Sequence, residues 1–323
     1  MFRELLIKYP EATKRVGLSI LFVALTVAFY FLGLRENTFL AIFPFLNNTA
    51  EQSPVVVGLA SATLAAVLFF LNWKLIGKFS RMQQMLVVWA ELLVLLLVFF
   101  YSFDLSFEFI MRKIGFLVTR GVMTTLYISA ISIAIATAIA LVGAIAKLSK
   151  NGAIYGLATF YTSLFRGLPL LMQVYLIYLG LPQLGFIIDA IPAGILALSL
   201  CYGAYMTEIF RAGIQSIPKG QSEGAQALGL NHLQTMWLVI LPQAMRVIVP
   251  PTGSQFIAML KDSSLVSVVG VWELTYLSRT LGQTEFRHIE MLITASLIYW
   301  LLSIGLESIQ ARIEKRFERS YRR

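Results

Sequence analysis

The sequence predicts an all-α, polytopic membrane protein, and three observations predict it. Hydrophobic residues make up 58% of the 323 and charged residues only 13%, whereas soluble domains carry about 25% charged residues. Apolar runs of span length recur along the chain, and Lys and Arg fall mainly in the links between them. A hydrocarbon core about 30 Å thick takes roughly 20 apolar residues per helical span.

By that measure the spans are expected at Val16 to Leu34, Pro54 to Leu71, Met85 to Tyr101, Val122 to Ala146, Ile154 to Leu181, Ile191 to Ile209, Met236 to Ala258 and Met291 to Ile309. The first follows Lys14 and Arg15 as a signal peptide would. It is too long for a signal h-region and no small-residue cleavage site follows before Arg35, so it reads as a retained span. The Leu105 to Arg120 segment mixes Phe107, Phe109 and Ile110 with Glu108, Arg112 and Lys113. It reads as an amphipathic helix lying in the outer interface before the fourth span. It also marks a boundary between an N-terminal part, 1–104, with three spans and a second part, 105–323, with five. An even number of spans puts both termini on one side, where Lys and Arg outnumber those of the other side, so both termini are expected in the cytoplasm.

The net charge of +9 does not mark a nucleic-acid surface, which needs basic residues gathered on a soluble face. Cys201 is the sole cysteine, which excludes an internal disulfide and a multi-cysteine metal site. It lies in an apolar run and reads as a small buried hydrophobe. No metal site is expected. The chain has no Gly-x-x-x-x-Gly-Lys-Ser/Thr match to hold ATP. Gly220-Gln221-Ser222-Glu223-Gly224 matches a hydrolase nucleophile elbow but lacks the strand that leads into one. His232 and His288 read as solvated loop residues, and Gly152 with Gly156 as a weak helix-contact pair. Asn47-Asn48-Thr49 forms a glycosylation sequon, relevant only in a eukaryotic secretory setting.

The polar insertion from Arg211 to Thr235, between the sixth and seventh spans, is the most informative stretch. Ser216 is expected to cap a short helix with Pro218 in its first turn, and Gly229 to end it in a left-handed conformation. Asn231 with Gln234 reads as a capping box opening the next helix. A helix clipped in this way outside the membrane is suited to docking on a cytoplasmic partner.

Polar groups in or beside spans are costly in lipid and therefore informative. Glu91 reads as an interfacial or packed carboxylate. Gly167 and Pro169 interrupt the fifth span between Arg166 and Gln173, and freed backbone groups are tolerated only against protein or a water-filled cavity. Arg166, Gln173, Glu208 and Asp262 are candidate substrate-pathway residues, with the alternative that Arg166, Glu208 and Asp262 only hold helix ends through ion pairs.

Three segments and a tail, taken in register, resemble the polar amino-acid permeases of bacterial ABC importers, the histidine- and glutamine-type family. They are Phe165-Arg166-Gly167-Leu168-Pro169-Leu170-Leu171-Met172-Gln173, Ala204 to Gln221, Glu223 to Gly229 with Ile240 to Ala244, and Leu260 to Ser267. The resemblance covers about residues 115 to 323 and implies a five-span permease core preceded by three extra transmembrane helices. It implies that Glu223, Gly224, Ala225, Ala227, Leu228 and Gly229 form a coupling helix seated on an ATP-binding subunit, with ATP on that partner and no cofactor on this chain. The expected company is two ATP-binding subunits, a second permease chain in a homo- or heterodimer, an extracytoplasmic solute-binding protein and an amino-acid substrate, in a bacterial inner membrane. Gly224 replaces the middle residue of the family's Glu-Ala-Ala pattern, and Cys201 stands where many relatives have Asn. A stand-alone ion-coupled transporter is the competing reading, whose mark would be repeated halves with paired broken helices.

Overall fold

The computed structural model describes residues 54–101 and 105–319, together with Val27 in a helical conformation. The expected first span, Val16 to Leu34, otherwise lies outside the described residues, as does the sequon at Asn47. The chain divides into two compact units, Met1–Ser102 and Phe103–Arg323. Among the described residues all regular structure is helical.

In the first unit, α1 spans Pro54–Ile76 and α2 spans Arg81–Tyr101. Asn72 Nδ2 of α1 donates to Glu91 Oε1 of α2 at 2.8 Å. Glu91 is therefore a packed carboxylate, its charge met by an amide across the pair.

The second unit begins with α3, Phe107–Lys147. Here the structure corrects the sequence reading, because the amphipathic segment is not a separate helix. Gly115 and Gly121 are too weak to stop it, and the chain widens into a π-helical turn over Leu117–Val122 and runs on. Ser106 caps its start by accepting from the Phe109 amide at 3.4 Å. After α3 come α4, Gly152–Gly167, and α5, Leu170–Gln183, bent from each other by 106°. Next are α6, Ala190–Gln215, the short α7, Lys219–Ala227, and α8, His232–Val269. The last two are α9, Leu274–Thr284, and α10, His288–Arg319. Among the described residues α3, α6, α8 and α10 are long and apolar enough to cross a membrane, and the α4–α5 pair makes a fifth span if counted as one.

Helix α6 is the axis of the unit. A Cβ on Gly143 of α3 would lie 2.5 Å from Thr207 Oγ1 of α6, so the missing side chain is what lets these helices touch. Gly152 and Gly156, by contrast, have open space where a Cβ would stand and draw no helix close. One apolar cluster gathers Ile128, Ala136 and Ala140 of α3, Leu198 and Met206 of α6, and Ile248 and Met259 of α8. A second joins Phe109, Leu117 and Val122 of α3 to Leu274 and Leu277 of α9 and Met291 and Ala295 of α10. Arg112 and Lys113 of α3 pair with Glu285 at 2.6 and 2.9 Å. The Lys113 ammonium holds the Glu285 carboxyl below its usual range. Glu273 caps α9 by accepting from the Thr275 and Tyr276 amides at 2.8 and 2.7 Å, and takes the Tyr299 hydroxyl at 2.6 Å. Burial pushes that carboxyl above its usual range.

Candidate functional site: a polar cleft at a broken helix, and an exposed short helix

The break between α4 and α5 follows from Pro169. The residue before a proline is driven out of the helical region, and Leu168 is extended, with φ −88° and ψ 139°. Pro169 also lacks the N–H that would have reached the Phe165 carbonyl four residues back. Gln173 supplies what is missing: its Nε2 donates to Phe165 O at 2.8 Å and to Leu168 O at 2.9 Å. The side chain is 2% exposed, and an unpaired buried carbonyl costs about 1–3 kcal/mol. Gln173 thus clamps the break from inside, and Cys201 Sγ of α6 lies 3.7 Å from the same Phe165 oxygen.

On the other side of the break opens a cleft of about 420 Å³, lined by residues 166–170, Cys201, Tyr202, Tyr205, Gln255 and Asp262. The Arg166 guanidinium stands 5.3 Å over the Tyr205 ring, and Tyr202 Oη donates to Asp262 Oδ2 at 2.7 Å. The cleft offers a cation, a carboxylate, two phenol rings and an amide, which are partners for both ends of a zwitterion. Leaving water is tolerable for such a solute only when polar groups replace part of its hydration.

The four predicted pathway residues therefore separate. Arg166 and Asp262 line the cleft, and Gln173 lies behind the break as its clamp. Glu208 receives Lys147, accepts from Arg211 Nε at 2.9 Å and stands 3.9 Å from Arg166. Lys147 and Arg211 already offset its charge, so Arg166 keeps donors for the cleft. Asp262 ends the α-helical part of α8, which runs on to Val269 as a 3-10 helix, so it lies within α8 rather than after a span. Sequence reasoning missed Tyr202, Tyr205 and Gln255 as lining residues, and it marked Cys201 both as a small buried hydrophobe and as standing where many relatives have Asn. A signal was available: Gln255 precedes Asp262 by seven residues, two turns on the same helical face.

The second feature is α7. Pro218 is its N-cap, with no side-chain capping bond. Ser216 does not cap it as expected, since its Oγ donates back to Gly213 O at 2.7 Å and Ser216 closes α6 instead. Gly229 is left-handed, φ +81°, and the Leu230 and Gly229 amides return to Ala225 O and Gln226 O at 3.1 and 2.9 Å. The Asn231–Gln234 capping box then opens α8. Glu223, Gly224, Ala227 and Gly229 are exposed, and Leu228 is 84% exposed. Ala225 turns inward at 4% exposure, so its small side chain fits α7 to its own chain rather than to a partner.

The profile of the family described as binding-protein-dependent transport system inner membrane component matches residues 139–319. The chain belongs to this family. The permease is 38% identical to the arginine transport system permease protein ArtQ of Bacillus subtilis (strain 168), over 67% of this chain and 98% of that one. It is 36% identical to the L-cystine transport system permease protein TcyB of the same organism, over 63% of this chain and 87% of that one. Among solved structures, that described as an amino acid ABC transporter with histidines is 35% identical at a TM-score of 0.62. That match covers 66% of this chain and 99% of the other.

Proposed function

We propose that the chain is the permease subunit of an ATP-driven importer of polar amino acids in a bacterial inner membrane. Its residues 105–323 form the permease core, residues 1–104 an extension with three spans, and both termini face the cytoplasm. The observation that carries the reading is α7: a helix of nine residues, clipped at its C-terminal end, with Leu228 exposed. Isolated helices this short are marginal in water, and α7 is held in place by its ends and by Ala225. Its free face, with Glu223, Ala227 and Leu228, is the coupling surface for an ATP-binding subunit, which binds and hydrolyses the ATP. Two such subunits, a second permease chain and an extracytoplasmic solute-binding protein complete the importer.

In this reading the cleft at the broken helix is the substrate pathway. Arg166 takes the α-carboxylate of an amino acid, and Asp262, released from Tyr202, takes the ammonium. Gln173 keeps the break open, and the family relationship supports the importer over a stand-alone ion-coupled transporter.

The test is amino-acid uptake by cells whose transport depends on this chain. Glu223→Lys reverses a charge on the free face, and Gly229→Val places a β-branched residue at φ +81°, a strain of about 1–3 kcal/mol. Each variant is expected to insert normally and to abolish uptake. The failure will show as lost assembly or as ATP hydrolysis unresponsive to the loaded binding protein. Wild-type uptake by both variants at wild-type expression overturns the coupling assignment.

A further inference from the structure

A second polar cleft, of about 380 Å³, opens elsewhere in the same unit, lined by Tyr175, Ser267, Val268, Gly270, Tyr276, Arg279, Thr280 and Gln283. Its main wall is one face of α9. Tyr276, Arg279, Thr280 and Gln283 follow the i, i+3, i+4, i+7 spacing that places side chains in one stripe. The opposite face, with Leu274, Leu277 and Leu281, is packed into the second apolar cluster. Glu273 fixes the start of α9 through two backbone amides and the Tyr299 hydroxyl. The ring of Tyr276 also stacks on Trp272 at 6.2 Å. The stripe is thus held rigidly by groups that lie outside the cleft.

The two clefts differ in charge. The cleft at the break presents Arg166 and Asp262, one group of each sign. No carboxylate lines the second cleft, and Arg279 has no hydrogen-bond or ion-pair partner among the described residues. The clefts also share two chain segments. Leu170 and Asp262 line the first, whereas Tyr175 and Ser267 line the second. Five residues rise about 7.5 Å in the α-helical Leu170–Tyr175 and about 10 Å in the 3-10 stretch Ser263–Val269, so the lining residues of the two clefts stand that far apart along each segment.

We infer that the second cleft is a carboxylate-binding subsite of the amino-acid route, with Arg279 as the anchoring cation and Tyr276, Thr280 and Gln283 as neutral hydrogen-bonding groups. A lone guanidinium surrounded by hydroxyls and an amide recognises a carboxylate by charge-assisted hydrogen bonds. It offers nothing anionic to the substrate ammonium. The substrate is held here by its carboxylate alone, and by both charged ends at the break. This subsite rests on the proposed importer function.

The experiment places a thiol in the stripe. Thr280→Cys, and in parallel Gln283→Cys, are introduced into the full-length chain in lipid nanodiscs, and the rate of maleimide labelling is measured. The parent, with Cys201 alone, corrects for background. The probes are L-glutamine, L-arginine and L-histidine, their α-carboxamides, and inorganic phosphate. At least one amino acid is expected to slow labelling at millimolar concentration, while its carboxamide does not. Adding Arg279→Gln should raise the concentration needed for protection by about tenfold or more. Failure of all three amino acids to protect at either position overturns the subsite. So does equal protection by the carboxamides, protection by phosphate alone, or a thiol that no reagent reaches because protein fills the cleft. Uptake by cells carrying the unmodified chain is measured alongside. Chain-dependent uptake without protection sinks the subsite and leaves the importer standing, whereas absent uptake sinks the importer reading itself.

Discussion

Two parts of this permease meet proline in opposite ways. Between α4 and α5 a single proline, Pro169, turns the chain by 106°. In α8, Pro242, Pro250 and Pro251 all lie within a helix continuous from His232 to Val269. The difference lies in the neighbours. Leu168 is extended and follows the weak helix former Gly167, and Gln173 reaches back to satisfy the carbonyls that the break exposes. In α8 the residues before each proline stay helical, and Pro242 follows a wide π turn over Thr235–Ile240. Gln310 of α10 donates to Pro250 O at 3.0 Å. Gly253 makes room for it, because a Cβ there would lie 2.7 Å from Gln310 Cδ. A proline breaks a span when the local sequence releases the backbone and a side chain within the same segment accepts the new shape. A proline held by a neighbouring helix is absorbed.

Three substitutions test that contrast, in order of falling effect. Gln173→Ala strips the clamp from two carbonyls at a buried break, at a cost of about 1–3 kcal/mol for each unpaired group. It should lower the melting temperature of the purified chain and abolish amino-acid uptake. Normal uptake would show that the break holds without it. Gln310→Ala removes only the support from α10, and Ser254 Oγ still lies 3.4 Å from Pro250 O. Thermal unfolding should show a loss of about 1 kcal/mol, with uptake retained; a loss as large as that of Gln173→Ala would erase the distinction. Pro251→Ala restores a helical N–H in a segment that is already continuous, so melting temperature should stay level or rise and uptake should persist. A falling melting temperature would mean that the proline itself contributes to holding α8 in place.

Much of this was legible in the sequence. Gly167 and Pro169 announced the break, since both residue types act locally, and Gly229 announced the end of α7 for the same reason. Ser216 misled because a serine hydroxyl can also turn back to its own helix, and here it donates to Gly213 O of α6. The seam between the amphipathic segment and the fourth span was invisible. A π turn has no residue signature, and composition changes at Leu117 while the backbone does not stop. Tyr202 and Tyr205 were hidden in an apolar run, where aromatic residues read as packing until a neighbouring helix brings Asp262 and Arg166 to them. Arg166 and Asp262 lie far apart in sequence, and only the fold makes them one cleft.

The wide turn over Leu117–Val122 has a mechanical consequence. Up to and through the turn, by Phe109, Leu117 and Val122 and by Gly121 set against Leu274, α3 packs with α9 and α10, and from Ile128 onward it packs with α6 and α8. One shaft is thus gripped by two separate collars, and its widest winding lies inside the first of them. If the two collars turn against each other as the permease works, the torque falls on a segment whose hydrogen bonds are already rewound. Any twist taken up there is passed directly to α9, which packs on the turn itself.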